Sequence, residues 1–408
     1  MPCTLRLTAA GAVVMAGLLA ARTAGAQVIC NDATLLPNPT IVTGSNTVEP
    51  MVGQFAVKLA AEPTPVSVVF ATSAATSCAG IASVVDGADL GGSPGRYYTL
   101  SGTSVVRNDC TFAAGQKAHV AVSDVFYESC STLPQPKPAD VADVAGPVQA
   151  TVFIVPPTDT TTQYLTYQEA QVIYGCGVSS ARPVAGFVDP MGVFCRAPEA
   201  GSQMVLAKSL GLAATAPTSA TCTNGGGSPA AMAGNVLSYG AAHSLGFITT
   251  DGLEGLRSSD SNKIKPLAFQ SPGQAQAYSV DSAPDFPDRR NVRDGHYTIW
   301  GYEHLIAKSS GGALGKQAAD FIAWVTGAKS NANVDYVLLE AGAGLIPQCA
   351  MRVKRSSDGG ALSPYAPSEP CACVLQALLS KTVPPGCQIC VGDQTCSGGL
   401  RCRHGFCE

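Results

Sequence analysis

At 408 residues with 46% hydrophobic side chains, the chain is long enough for two or three domains with sizeable cores and too apolar to be largely disordered. Its formal charge of −4 and the lack of a Lys/Arg-rich stripe argue against nucleic acid as a partner, because no row of cations is present to neutralise phosphates along a strand. One small anion is not excluded.

The N-terminus reads as an export signal: Arg6, an apolar run over residues 7–21, then Ala24-Gly25-Ala26 as a small-residue cleavage context. The expectation is a signal peptide over 1–26, a mature start at Gln27 and a periplasmic or secreted chain. The apolar run is short for a bilayer span of about 20 residues, and no later segment is long enough. Cys30 follows Gln27-Val28-Ile29, which is not a lipoprotein context, so no lipid anchor is expected. Loss of Arg6 and Arg22 with the signal leaves 23 basic and 29 acidic residues, a formal charge of −6. Sixteen cysteines suit an oxidising compartment, and removal of Cys3 leaves fifteen, an odd count that points to one unpaired thiol.

A short strand at 40–43 runs into Gly44-Ser45-Asn46-Thr47, followed by a helix over 52–61. Ser, Asn and Thr are helix-capping residues, and helix N-termini with free N–H groups hold anions without a net positive protein. A strand at 66–70 leads through another hydroxyl-rich turn to a helix ending near Val85. The stretch 86–117 is Gly-rich and polar and reads as a surface excursion. A third strand, 118–122, ends at Ser123-Asp124, and 148–155 is a strong buried strand closed by Pro156-Pro157. A new unit begins near Thr158, with a capped helix at 165–170, a strand end at 193–196, a polar turn and an apolar helix over 204–210. Residues 221–230 read as a loop, 244–248 as a strand, 264–269 as a strand crossing back and 297–300 as the start of another. Helices are expected over 315–325 and 334–341. Strands alternating with helices through short polar turns argue for α/β layers with parallel strands and a ligand at the strand ends.

In this order the motifs resemble the phosphate substrate-binding proteins of ABC transporters, the PstS-like group with the type II periplasmic-binding fold. The similarity covers about residues 38–348. It is carried by Gly44-Ser45-Asn46-Thr47, Ser77-Cys78-Ala79-Gly80-Ile81, Ala121-Val122-Ser123-Asp124, the run from Arg196 to Gly201-Ser202, and Asp294-Gly295-His296-Tyr297-Thr298-Ile299 as the return into the first lobe. The resemblance implies a two-lobed α/β fold, with 27–150 and 270–350 as the first lobe and 151–269 as the second. Crossover strands near 148–157 and 264–271 would join them. It also implies an anion site in which Ser45, Asn46, Thr47, Ser77 and Ser123 give donors. Asp124 accepts the proton of a protonated phosphate, Arg196 grips phosphate oxygens in a fork, and Gly201 and Ser202 donate from the second lobe. An acceptor-only carboxylate rejects a fully deprotonated oxyanion such as sulfate. The implied ligand is phosphate or a similar tetrahedral oxyanion, and the implied macromolecular partner an ABC-transporter permease. Three positions depart from the pattern: Ala200 replaces a hydroxyl, Pro198 replaces a polar neighbour of the arginine, and Glu199 places a carboxylate beside the loop. Pointing inward, Glu199 would repel a dianion; pointing outward, it is a solvated charge.

No catalytic residue, cofactor or metal is expected. Gly91-Gly92-Ser93-Pro94-Gly95 has the spacing of a hydrolase elbow, but Pro94 has no N–H to lend an oxyanion hole. His119, His243, His296, His304 and His404 lack metal-ligand spacing. Residues 371–408 form a cysteine-rich tail with little apolar core, stapled by disulfides rather than by zinc at Cys387 and Cys390. Counting Cys349 with the seven cysteines of the tail gives eight, enough for four bridges in a connectivity that spacing does not specify. The alternative function is that of a secreted structural or interaction protein, which keeps the binding fold and attaches to a cell-surface component through this tail.

Overall fold

The structure, a computed structural model, describes residues 28–239, 243–257, 264–283 and 286–408. The expected signal peptide over 1–26 and the mature start at Gln27 lie outside these residues. No helix among the described residues is long and apolar enough to cross a membrane.

The first part of the chain builds β1 (Thr40–Gly44), α1 (Glu49–Leu59), β2 (Val68–Ala71), α2 (Ser77–Asp86), β3 (Pro94–Ser101), β4 (Ser104–Thr111) and β5 (Val120–Ser123). Every residue of β1, β2 and β5 is buried, as expected for strands covered on both faces, and β1 pairs in parallel with the other two. On one face, Phe55 of α1 meets Phe321 of the helix Lys316–Val325 edge to face. On the other, Ile81 and Val84 of α2 pack with Ala121 and Tyr127. Each fully buried Val, Ile or Phe contributes about 1.5–3 kcal/mol, so these two layers fix where the ends of β1 and β5 lie.

Next come β6 (Val141–Val155), α3 (Tyr167–Cys176), α4 (Gly201–Ser209), α5 (Pro229–Ser238), β7 (Gly246–Thr249), α6 (Thr250–Arg257) and β8 (Trp300–Ser310). The capped helix expected here is α3, where Thr166 and Glu169 form a capping box. The main sheet has ten strands in the order β7-β6-β8-β5-β1-β2-β3-β4, with Lys265–Pro266 added to β6 and Ala313–Leu314 to β8. The result is a mixed α/β fold.

Four expectations change. The sheet is parallel only around β1, because β8 joins β5 and β6 antiparallel, with Trp300 opposite Ala150 and Lys308 opposite Val141. The long antiparallel strands are therefore β6 and β8, while 264–271 yields only the short strands Lys265–Pro266 and Ala268–Gln270. The 86–117 stretch is not an irregular excursion. Its centre folds into the β3–β4 hairpin, which turns at Gly102 (φ 61°) and extends the sheet from β2. Finally, the tail is not separate from the core: Cys371, Val374, Leu375 and Phe406 pack into the largest apolar cluster, beneath the helix Ala372–Ser380.

Residues 352–365, which carry no motif, form a strap. Arg355 donates to the carbonyls of Trp300 and Thr298 at 3.0 Å each and lies 3.8 Å over the Trp300 ring. Asp358 accepts from the Phe126 amide at 3.0 Å and from the Ser129 hydroxyl at 2.6 Å. Gly359 packs so closely on Lys208 at the end of α4 that a Cβ would sit 2.2 Å from its carbonyl oxygen. One short segment thus ties together β8, the chain after β5, and α4.

Seven disulfides join Cys30–Cys110, Cys78–Cys130, Cys195–Cys222, Cys349–Cys371, Cys373–Cys387, Cys390–Cys402 and Cys396–Cys407. Cys349 completes the four tail bridges. The sulfurs of Cys390, Cys396 and Cys407 lie within 4.8 Å of one another, but each is covalently paired and so is no thiolate ligand. Among the described residues the odd thiol is Cys176, exposed at the end of α3. Mass spectrometry of the unreduced, alkylated protein is expected to find a single label, at Cys176; labels in the tail would contradict this pairing.

Candidate anion site

The site forms where three loops leave buried elements. At the end of β1, Gly44 adopts φ 113°, where a Cβ would lie 2.0 Å from the Val122 carbonyl oxygen, and the Ser45 amide donates to that same oxygen at 2.9 Å. The turn therefore aims Ser45, Asn46 and Thr47 past the end of β5. Ser45 and Thr47 share a hydroxyl–hydroxyl bond of 2.7 Å, and Thr47 Oγ1 lies 3.1 Å from both oxygens of Asp124. The expected helix cap is not made. Val48 is the N-cap residue of α1 and has no side-chain cap, because the Thr47 hydroxyl goes to Asp124 instead.

Two of the expected donors turn elsewhere. Ser77 opens α2 behind Asp124, where its Oγ accepts from the Asp124 amide at 3.1 Å, and the cap of that helix is Thr76. The Ser123 hydroxyl donates to the Val125 carbonyl at 2.8 Å and accepts from the Val125 amide at 3.2 Å, shaping the turn after β5. Neither Ser77 nor Ser123 lines the cavity. Ser45, Asn46, Thr47, Asp124, Arg196, Gly201 and Ser202 do, around a volume of about 140 Å³.

The opposite wall comes from the loop into α4. Arg196 is 5% exposed; its amide donates to Gln203 Oε1 at 2.7 Å and its Nη2 to the Gly227 carbonyl at 2.8 Å. No carboxylate lies within ion-pairing distance of it among the described residues. Burial lowers the guanidinium pKa, while the charges of Asp124 and Asp251 oppose that shift from farther away. Ala200 caps α4 without a side-chain bond, so the amides of Gly201 and Ser202 gain no side-chain partner from the cap. Ser202 is 3% exposed, and its Oγ has no hydrogen-bond partner among the described residues. Gly201 comes nearest to the first wall: a Cβ there would lie 2.3 Å from Ser77 Oγ and 2.6 Å from Asp124 Cβ. Glu199 and Pro198 are exposed and do not line the cavity, so Glu199 is a solvated charge.

The sequence reading missed the rest of the lining, Ala75, Thr76, Asn224, Gly226 and Gly227, and the acidic group behind it. Glu303, in the buried middle of β8, is 1% exposed, and neither of its oxygens has an aligned hydrogen bond among the described residues. Burial, with Asp124 and Asp251 nearby, pushes its carboxyl well above the usual range. Burial also raises Asp124, against the hydroxyls of Ser45 and Thr47 and the charge of Arg196. Of these two carboxyls, Asp124 is the one that lines the cavity, with Glu303 behind it. The available signal was a charged pair, Glu303-His304, inside an otherwise apolar run.

Asp251, in α6, is pushed up to about 6 by burial. Its folded pKa lies above the unfolded value of 3.8, so its contribution to stability is complete below 3.8 and disappears as pH rises through about 6. The side chain reaches solvent on one side, so on the order of 1–2 kcal/mol is expected rather than the whole shift. Asp251→Asn is expected to flatten that part of the slope of stability against pH between 4 and 7 by about this amount, read from urea melts at several pH values. An unchanged slope would contradict the assignment.

No protein-family model matches the chain, and neither does any curated protein sequence. Solved structures to which it is similar include an ABC-type phosphate transport receptor from Vibrio cholerae, at 16% identity over 76% of this chain and 99% of that one, with a TM-score of 0.49. A putative phosphate ABC-transporter substrate-binding protein from Clostridium perfringens, solved with bound phosphate, has 16% identity over 76% and 99%, with a TM-score of 0.47. PstS from Borrelia burgdorferi has 14% identity over 76% and 98%, with a TM-score of 0.42. These three are phosphate-transport proteins with low sequence identity to this chain.

Proposed function

We propose that the chain is an exported, noncatalytic binding protein whose cavity takes phosphate or a similar tetrahedral oxyanion. The observation that carries this reading is a buried Arg196 with no carboxylate within ion-pairing distance, beside a Ser202 hydroxyl with no hydrogen-bond partner, both among the described residues and on the wall of one small cavity. A buried cation without a counter-ion, like a buried hydroxyl without a partner, is costly unless a ligand completes it. Residues 27–150 with 270–350 would form one lobe and 151–269 the other, each supplying one wall, so that the anion favours closure by touching both. Delivery to an ABC-transporter permease is the role that this reading assigns.

Asp124 sets the choice of anion. As an ionised acceptor on the cavity wall, Asp124 accepts from a protonated phosphate oxygen and repels sulfate, which has no proton to give at neutral pH. Phosphate is expected to raise the melting temperature of the oxidised full chain, and sulfate to bind at least about tenfold more weakly. Asp124→Asn, with a donor in place of an acceptor, is expected to narrow that ratio. Equal response to both anions in the unmodified chain would sink the selectivity, and no response to either would sink the oxyanion reading.

A second reading is favoured by apolar side chains exposed on the tail, Val383, Ile389, Val391 and Leu400, with Val391 90% exposed. These would serve attachment to a cell-surface component. Ile389→Asp with Val391→Asp separates the readings, since retention on the exporting cell would fall only if the tail attaches, while the phosphate-dependent melting shift persists.

A further inference from the structure

We propose that the cleft holds a second, outer compartment for the hydroxylated organic part of a phosphate monoester, so that the preferred ligand is the phosphate ester of a small polyol or sugar rather than free phosphate. This rests on the oxyanion reading of the inner cavity. The outer compartment, about 400 Å³, shares Asn46, Thr47, Ala75 and Gly227 with the inner one. A phosphoryl group bound against Arg196 and Ser202 therefore has a direct exit for an ester oxygen past this shared rim.

The chemistry of the outer walls selects the substituent. Glu49, 3% exposed, sits at the floor and is held by Arg96 Nη1 at 2.9 Å, Arg107 Nε at 3.0 Å and the Tyr98 hydroxyl at 3.2 Å. Arg107 is 52% exposed in its side chain, and its two terminal amino groups have no hydrogen-bond partner among the described residues. Across the opening, Asp251 accepts from Gln149 Nε2 at 3.1 Å and faces the same space. Two arginines against two carboxylates leave little net charge, so a second anionic group gains little there. Donors and acceptors standing side by side instead suit hydroxyl groups, each of which both donates and accepts. Pro50 and Pro229 add apolar surface for the carbon skeleton. The inner cavity, at about 140 Å³, has the room of roughly five waters, enough for the phosphoryl group but not for a polyol beside it.

The test is calorimetric titration of the oxidised full chain at pH 6, where about half of a phosphate monoester keeps the proton that Asp124 accepts, with inorganic phosphate, methyl phosphate and glycerol 3-phosphate, using the unmodified protein, Arg107→Ala and Arg107→Gln. Glycerol 3-phosphate is expected to bind about tenfold more tightly than either of the others. Arg107→Ala should reduce that preference to about twofold with phosphate affinity unchanged, and Arg107→Gln, which keeps amide donors without the charge, should retain part of it. If Arg107 only steers anions, both substitutions weaken all three ligands alike, and the proposal fails. It fails too if phosphate binds as tightly as glycerol 3-phosphate, or if the preference survives in Arg107→Ala. If none of the three binds, the oxyanion reading itself falls and takes this proposal with it.

Discussion

Arg196→Ala is expected to abolish phosphate binding while leaving the chain folded. Arg196 has no carboxylate partner within ion-pairing distance among the described residues, and its protein bonds are those of its amide to Gln203 and its Nη2 to the Gly227 carbonyl. The guanidinium therefore has donors to spare for a bound oxyanion. Truncating one side of a buried, hydrogen-bonded charge pair costs about 3 kcal/mol or more, roughly a hundredfold in affinity. Without ligand, removing an uncompensated buried cation relieves desolvation and offsets the lost bond to Gly227, so the melting temperature should move by no more than about 3 °C. Arg196→Lys keeps the charge without the fork and should recover only part of the affinity. Phosphate affinity unchanged in Arg196→Ala would remove Arg196 from the site.

Gly201→Ala is expected to weaken phosphate binding about 10- to 100-fold by steric means alone. Gly201 does not have positive φ, so Ala is compatible with the backbone and, in the first turn of α4, favours the helix. The obstacle is across the cleft: the added methyl would meet Ser77 Oγ at 2.3 Å and Asp124 at 2.6 Å. The walls must separate, which takes the α4 amides and Ser202 away from Asp124 and Thr47. Overpacking of this kind costs about 1–3 kcal/mol, charged against the closed arrangement rather than against folding. Calorimetry paired with unfolding measurements separates the two effects; a loss of stability equal to the loss of binding would contradict this account.

How much of this was legible in the sequence depended on whether local chemistry and long-range packing agreed. The Thr166–Glu169 capping box is a local device and could be read directly. The hydroxyls after Gly44 were read as caps, which their residue types favour, but Thr47 is used by Asp124, 77 positions away. Ser77 and Ser123 have the right residue type and lie beside the right carboxylate, yet both are consumed by backbone groups in forming the turn that presents Asp124. The β3–β4 hairpin was hidden because edge strands with exposed faces are polar, and its flanking glycines read as loop. Glu303 was missed because a lone carboxylate is most often solvated, and only the neighbouring strands show that β8 is buried at that point. The strap at 352–365 carries no periodic signal, since its role lies in side-chain bonds to three distant segments.

The central claim is that one cavity between Thr47, Asp124, Arg196 and Ser202 binds an oxyanion. Isothermal titration of the full-length, disulfide-intact chain with inorganic phosphate at neutral pH and low ionic strength tests it most directly. The account predicts saturable heat at one site per chain, complete below millimolar phosphate and lost in Arg196→Ala. No heat up to millimolar phosphate, from protein with its seven disulfides intact, would contradict it.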